Sequence, residues 1–267
     1  MTYDKELQFA KALALDIGDI MLDWFYKGTT AEWKADNTPI TEADKASSEL
    51  SMHRIQATFP GDAVLGEEAQ SKLKAVRTWV IDDVDGSLPF KNGVPTSTVS
   101  IALAVDGRPV VGVVYHPFMK NLYCAQLGSG AFCNESPIHV SNSTLHHGLV
   151  ELADIPVHSG FEILDIHGDF YDEIVARGAK ATAMWSCILP GALTAAGLYT
   201  AVVFNREKPM DGAALKVIVE EAGGKVTDLF GNEQRYDQPI NGFVASNGVV
   251  HDVLITLLST KPRLPTA

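Results

Sequence analysis

The sequence predicts an α/β fold, and three observations carry that reading. Two helical segments open the chain, a run of apolar strands fills its middle, and strands alternate with helices from about residue 145 onward. No internal repeat or low-complexity linker interrupts it, so the halves 1–145 and 146–267 are expected to form one continuous unit with an extended shared interface.

Leu7, Ala10, Ala14, Ile17, Met21 and Trp24 recur at three- and four-residue steps, which puts one apolar stripe on a long first helix. A second helix starts near Thr41, an acceptable N-cap, and stops before Phe59-Pro60-Gly61. The polar segment 32–40 between them reads as a turn or hairpin. Segments 63–65, 79–81, 98–105 and 110–115 read as strands, the last two joined by a turn at Asp106-Gly107. Further on come a strand at 149–152, a helix at 172–176 and an uncharged helix beginning at 181, which runs into a strand at 199–204. Segment 211–222 is a helix closed by Gly223-Gly224, followed by a strand at 243–245 and a helix at 249–258.

Composition narrows the function classes. A net charge of −12 repels phosphate backbones and acidic lipid surfaces, which argues against nucleic acid or a membrane as partner. With 46% hydrophobic and 20% charged residues, a large core is expected and wholesale disorder is not. Segment 181–204 is uncharged and long enough to cross a bilayer, but Pro190, Gly191, Gly197 and the β-like run 199–204 assign it to a buried helix and strand. On that helix, Trp185 and Cys187 read as core. Cys124, Cys133 and Cys187 cannot pair completely and show no CxxC spacing. The N-terminus lacks the pattern of an export signal, and a cytoplasmic location is the expectation.

The densest chemistry lies in Trp79-Val80-Ile81-Asp82-Asp83-Val84-Asp85-Gly86-Ser87, where a buried strand runs into three carboxylates, a glycine and a hydroxyl. Carboxylates this close repel one another unless a cation or protons intervene. Oxygen ligands suit a hard ion such as magnesium, which readily shares itself with a phosphate. Gly86 lets backbone amides approach that phosphate, and Ser87 can orient a water or help ligate the metal. A solvated acidic turn is the plainer alternative. An EF-hand loop fails, because aligning Gly86 with its invariant glycine puts Ile81 and Asn92 at ligand positions. Asp83-Val84-Asp85-Gly86-Ser87-Leu88 also resembles the Asp-x-Asp-Gly-Thr signature of haloacid-dehalogenase-type phosphatases, in which the first aspartate is phosphorylated. Here Asp82 replaces the usual apolar residue before that signature, and the late acidic motif is missing.

Four segments in order resemble the inositol monophosphatase family of lithium-sensitive, magnesium-dependent sugar-phosphate phosphatases. Lys34 to Asp44 resembles its Lys-x-Asp…Thr-x-x-Asp segment and Gly66-Glu67-Glu68 its Gly-Glu-Glu. Trp79 to Phe90 resembles its Asp-Pro-x-Asp-Gly-Thr segment, and Asp211-Gly212-Ala213-Ala214 with Glu221-Ala222-Gly223-Gly224 its last helix. The resemblance implies a layered αβαβα sandwich of the α/β (α+β) class, like that of fructose-1,6-bisphosphatase, and a homodimer.

It also implies roles. Glu67, Asp82, Asp85, Asp211 and the Val84 carbonyl would ligate two or three magnesium ions, for which manganese can substitute. Asp44 and Ser87 would form a dyad that orients and helps deprotonate the attacking water, with Glu67 assisting. Lys34, Gly86, Ser87, Phe204, Asn205 and Asp211 would contact the substrate, with 156–180 and Phe204 to Arg206 contributing to specificity. The implied reaction is hydrolysis of a small phosphorylated polyol, inositol-1-phosphate-like. Histidinol phosphate, 3′-phosphoadenosine 5′-phosphate or fructose bisphosphate are the alternative substrates. A catalytically silent regulatory or partner-binding member is a further alternative, against which the four retained acids argue. The departures from the family pattern are Asp83 for proline, Ser87 for threonine, Met210 for tryptophan and Leu215 for a small residue. Phe204 stands where relatives acting on inositol phosphate carry an acid for the ring hydroxyls.

Overall fold

The computed structural model describes residues 2–34, 38–68, 71, 75–153, 162–166 and 168–264. In chain order the first half holds α1 (Asp4–Lys27), β1 (Ala31–Trp33), β2 (Pro39–Thr41), α2 (Glu42–Thr58), β3 (Ala63–Gly66), β4 (Arg77–Asp85) and α3 (Ser87–Lys91). β5 (Thr98–Val105), β6 (Arg108–His116), β7 (Asn121–Gln126), β8 (Ala131–Cys133) and β9 (Ser136–Ile138) complete it. The second half holds β10 (Leu149–Ala153), α4 (Asp169–Ala176), β11 (Lys180–Thr182), α5 (Ile188–Ala195), β12 (Ala201–Phe204) and α6 (Pro209–Glu221). It ends with β13 (Lys225–Thr227), β14 (Phe243–Ser246) and α7 (His251–Leu258).

Two sheets organise these elements. A seven-stranded sheet runs in chain order from β3 to β9, antiparallel except for the β3–β4 pair. A five-stranded sheet has the order β11-β10-β12-β14-β13, parallel at β11-β10-β12 and antiparallel beyond. Helices α1 and α2 cover the outer face of the first sheet, α5 and α6 fill the space between the sheets, and α4 and α7 cover the second sheet. That is an αβαβα sandwich with three apolar cores, one under α1 and α2, one around α5 and α6 between the sheets and one under α4 and α7.

Local chemistry explains the helices that matter for the cleft. On α1, Ala10, Leu13, Ala14, Ile17 and Met21 are buried, as their spacing predicts. Helix α2 begins with a reciprocal capping box between Thr41 and Asp44. Its buried face is made of Ser47, Ser48, Ser51 and Ile55, small groups that let it lie close on β4. α6 is buried from Pro209 to Val219, as a helix between two sheets must be. Gly112 of β6 makes that packing possible, since a Cβ there would meet the Ala214 carbonyl oxygen at 2.5 Å.

The 32–40 segment forms the antiparallel β1–β2 pair, the hairpin the sequence allows, with 35–37 outside the described residues. The structure differs from the sequence expectation in two places. β7, β8, β9 and β13 carry no local signal strong enough to read. Asn134 and Glu135, both with positive φ, make the β8–β9 turn without the usual Asn-Gly. The uncharged stretch opens as strand β11 and an irregular turn, and its helix is only α5, so Trp185 precedes the helix and Cys187 caps it. No helix among the described residues is long and apolar enough to cross a membrane.

Candidate active site

Strand β4 decides which acids face the cleft. Val80 points into the layer between the sheets, while Trp79 and Ile81 point into the core under α1 and α2. Alternation therefore sends Asp82 inward and Asp83 outward. The pairing with β5 shifts register between Asp82 and Asp85, so Val84 joins the outer core and Asp85 turns back inward beside Asp82. Asp83 instead accepts a hydrogen bond from Ser51 Oγ of α2 at 2.5 Å. Burial pushes its carboxyl up to about 7, against the Ser51 hydrogen bond and with the help of the Asp44 and Glu68 charges. The extra charge thus neither joins the cleft nor reaches solvent, and the phosphoaspartate alternative is left without its nucleophile.

After Asp85 the chain turns through Gly86 at φ 77°, a left-handed backbone suited to glycine, into α3. Ser87 Oγ lies 3.0 Å from Asp44 Oδ1 and 3.1 Å from the Val84 carbonyl, so one hydroxyl proton serves two acceptors. Asp44 is fixed in turn: its Oδ2 accepts from Thr41 N at 2.7 Å and from the Thr41 hydroxyl. Burial pushes the Asp44 carboxyl up to about 6, in spite of these hydrogen bonds.

Glu67 follows β3 and receives two cations. Lys34 Nζ and Lys208 Nζ each donate to its Oε1 at 2.9 Å, and Lys34 also reaches Glu68 Oε1 at 2.6 Å. Burial disfavours the Glu67 charge, but Lys208 and Lys34 outweigh it and hold the carboxyl below its usual range. Asp211 sits in the first turn of α6 and its Oδ1 accepts from Cys187 Sγ at 3.3 Å. Asp85 Oδ2 accepts from Thr98 Oγ1 at 3.2 Å, from Ile188 N of α5 at 3.3 Å and from Ser186 Oγ.

The electrostatics of the group are those of a cation cradle. Asp82 is held well above its usual value by burial and then by the charges of Glu67, Asp85 and Asp211. Burial lifts Asp85 to about 7 and Asp211 to about 8. Asp211 Oδ2 is buried with no hydrogen-bond donor, and Asp85, Cys187 and Asp211 each offer a ligand atom within 4.8 Å of the others. A divalent cation would supply the missing partner and relieve the repulsion, and the carboxylate oxygens of this donor set fit one.

The cleft has a volume of about 120 Å³ and brings together Glu67, Asp82, Asp85, Gly86, Ser87 and Asp211. Phe204 also lines it, packed on Phe243 with ring centroids 5.1 Å apart. Asn205 does not, because its amide is engaged with the Leu164 backbone N and O at 3.0 and 2.8 Å. Lys34 reaches the group through Glu67, and Asp44 through Ser87. Residues 35–37 of the early motif, and 156–161 and 167 of the expected substrate segment, lie outside the described residues. Sequence reasoning missed Ser186 and Lys208, which line the cleft, and assigned Trp185 and Cys187 to the core; Cys187 is buried there and meets the cleft as well, while Trp185 stands in the cleft wall. For Lys208 a signal existed: a cation immediately before Pro209 at the start of a helix carrying an acid.

Comparison with known proteins agrees with this geometry. Residues 2–263 match the model of the inositol monophosphatase family. A histidinol-phosphatase of Chlorobaculum parvum is 36% identical, over 97% of this chain and 98% of its own. A fructose-1,6-bisphosphatase/inositol-1-monophosphatase of Thermotoga maritima is 30% identical over 95% of both chains. The solved structure of a Thermotoga maritima inositol monophosphatase aligns with a TM-score of 0.85 at 29% identity, covering 96% of this chain and 97% of that one. The chain belongs to the inositol monophosphatase family and is a phosphoric monoester hydrolase.

Proposed function

We propose that the cleft hydrolyses the phosphate monoester of a small alcohol with magnesium, using water as the nucleophile. What supports this reading is that Glu67, Asp82, Asp85 and Asp211, from three separate stretches of chain, converge beside Gly86 and Ser87, with one buried Asp211 oxygen still lacking a partner. Glu67, Asp82, Asp85, Asp211 and the Val84 carbonyl are the groups that would hold magnesium, most of them from the half 1–145. When bound, the ion offsets the charge of the ester and makes a water more acidic.

The chain's own groups do the rest. The amides of Gly86 and Ser87 face the phosphate, an arrangement that favours the anion at a turn into a helix. Ser87 holds the attacking water and Asp44 accepts the proton that Ser87 passes on, while Lys208 and Lys34 keep Glu67 ionised and oriented. The alcohol lies toward Trp185, Leu88 and Phe204. An inositol-1-phosphate-like polyol is the substrate the family resemblance implies. Histidinol phosphate is favoured by Phe204, which offers no acid for ring hydroxyls. A homodimer, a cytoplasmic location and lithium sensitivity belong to the same reading.

The test is hydrolysis of inositol 1-phosphate, histidinol phosphate, 3′-phosphoadenosine 5′-phosphate and fructose bisphosphate, with magnesium, with chelator and with lithium. Turnover is expected with magnesium alone and is abolished by chelator. Asp82→Asn should leave a folded protein with on the order of 10³-fold less activity. Near-normal turnover by that variant in saturating magnesium overturns the assignment.

A further inference from the structure

Trp185 stands in the cleft wall with a left-handed backbone, φ 57°, and is 45% exposed. That conformation is unfavourable for any bulky residue and persists only where the surroundings impose it. Here they do. On one side Met184 N donates to Glu151 Oε1 at 2.5 Å, and Glu151, wholly buried on β10, also accepts from Thr182 Oγ1 at 2.5 Å. On the other side Ser186 Oγ donates to Asp85, and Cys187 Sγ donates to Asp211 at 3.3 Å. The turn is therefore clamped by three acids, two of them proposed metal ligands.

The indole between these clamps makes no aromatic or hydrogen-bond contact with any described residue. Its backbone packs on the phosphate turn: a Cβ at Gly86 would lie 3.4 Å from the Trp185 carbonyl oxygen. The ring is thus held beside the Gly86 turn, nearly half exposed to the cleft and without an aromatic partner among the described residues. Nearby, Pro39, Leu88 and Phe204 give the cleft an apolar side, while Lys208 and the carboxylates crowd its reacting end. Thr38 and Arg206 add polar groups to the lining, but against the apolar side a polyol would set hydroxyls on carbon, whereas the face of a flat ring would gain stacking area there.

We propose that Trp185 is the specificity-determining residue for the alcohol part of the substrate, stacking on a heteroaromatic ring and selecting ring-bearing esters over polyols. The proposal rests on the phosphomonoesterase reading above and names its substrate class.

Two variants test it. Trp185→Gly keeps the turn, because glycine adopts a positive φ freely, and removes the ring; Trp185→Phe keeps a ring. In magnesium, kcat/KM is measured on histidinol phosphate, inositol 1-phosphate and ring-free glycerol 2-phosphate. The wild type is expected to prefer histidinol phosphate. Trp185→Gly should lose roughly fivefold more on histidinol phosphate than on glycerol 2-phosphate, chiefly through KM, and Trp185→Phe should restore most of it. Histidinol alone should quench wild-type tryptophan fluorescence and leave that of Trp185→Phe unchanged. Equal losses on all esters, or a wild-type preference for inositol 1-phosphate, overturns the proposal. If no ester is turned over with magnesium, the phosphatase reading fails instead, and the fluorescence titration still decides whether Trp185 binds the ring.

Discussion

Asp44 and Ser87 show how one side chain serves two ends. Asp44 Oδ2 closes the capping box of α2, and its other oxygen accepts from Ser87 at 3.0 Å. Because the first contact fixes the carboxylate, the second is pre-aimed and costs little extra side-chain entropy. A carboxyl pushed up to about 6 is ionised, and able to accept a proton, only above that pH. Activity carried by this pair should therefore climb as pH rises through about 6. Asp44→Asn should lower kcat by roughly 10²-fold with KM little changed, and should flatten that acidic limb. The same change weakens the capping box, because an amide oxygen is a poorer acceptor than a carboxylate for Thr41 N and its hydroxyl, and thermal unfolding reads that loss separately. Ser87→Ala should match the loss in kcat without the loss in stability, and Ser87→Thr should recover activity. Turnover within threefold of wild type in Asp44→Asn would reduce Asp44 to a helix cap.

At the level of elements, the cleft depends on how closely α6 approaches β6. Gly112 sets that distance, since its missing Cβ leaves room for the Ala214 carbonyl 2.5 Å away. Gly112→Ala must push α6 outward, because backbone cannot rotate aside as a side chain does. We expect a loss of about 1–3 kcal/mol by thermal unfolding. A higher magnesium concentration for half-maximal activity should accompany it, because Asp211 rides on the first turn of α6. An unchanged magnesium requirement would show that the first turn moves independently. The sequence made α1, α2 and the Thr41 cap legible because periodicity and cap chemistry are local. It also placed Glu67, Asp82, Asp85 and Asp211 after strands or in a helix start, where chains can converge. It could not show which face of β4 Asp82 and Asp83 take, which depends on the layers packed on either side, nor that Asp85 turns back beside Asp82 through a bulge formed only by pairing with β5. Nor could it take Trp185 out of the core, or show that Cys187, which does belong to the core between the sheets, also meets the cleft. They line the cleft because Glu151, Asp85 and Asp211, all distant in sequence, hold the turn open. β8, β9 and β13 are three residues each, and their register comes from neighbours rather than from themselves.

Across the whole molecule, the acids of the cleft link stability to pH and to metal. Burial lifts Asp85 to about 7 and Asp211 to about 8, and lifts Asp82 well above the ordinary carboxyl range. In the unfolded chain these groups ionise near pH 4. Between that pH and their folded values the native state therefore binds more protons than the unfolded state. A raised folded value means that the stabilisation is complete below the unfolded pKa and is lost as pH rises through the folded one. The slope is about 1.4 kcal/mol per pH unit for each proton held only by the folded state. His251 acts in the opposite sense. Buried between Ser246 and Thr227 and depressed to about 4, it removes stability as pH falls from about 6.5 toward 4. The window from pH 6.5 to 8 thus isolates the carboxylates. In chelator, the melting temperature should fall as pH rises across that window. Magnesium should raise it at both ends, and by more at pH 8, because the cation replaces protons that the folded state otherwise needs. A difference of 1 kcal/mol corresponds to about 2–4 °C at this chain length, well within reach of calorimetry. Asp211→Asn should flatten the metal-free slope and shrink the magnesium increment together. A magnesium increment equal at pH 6.5 and 8 would mean that the ion binds away from these acids, and the convergence of Glu67, Asp82, Asp85 and Asp211 would then need another cause.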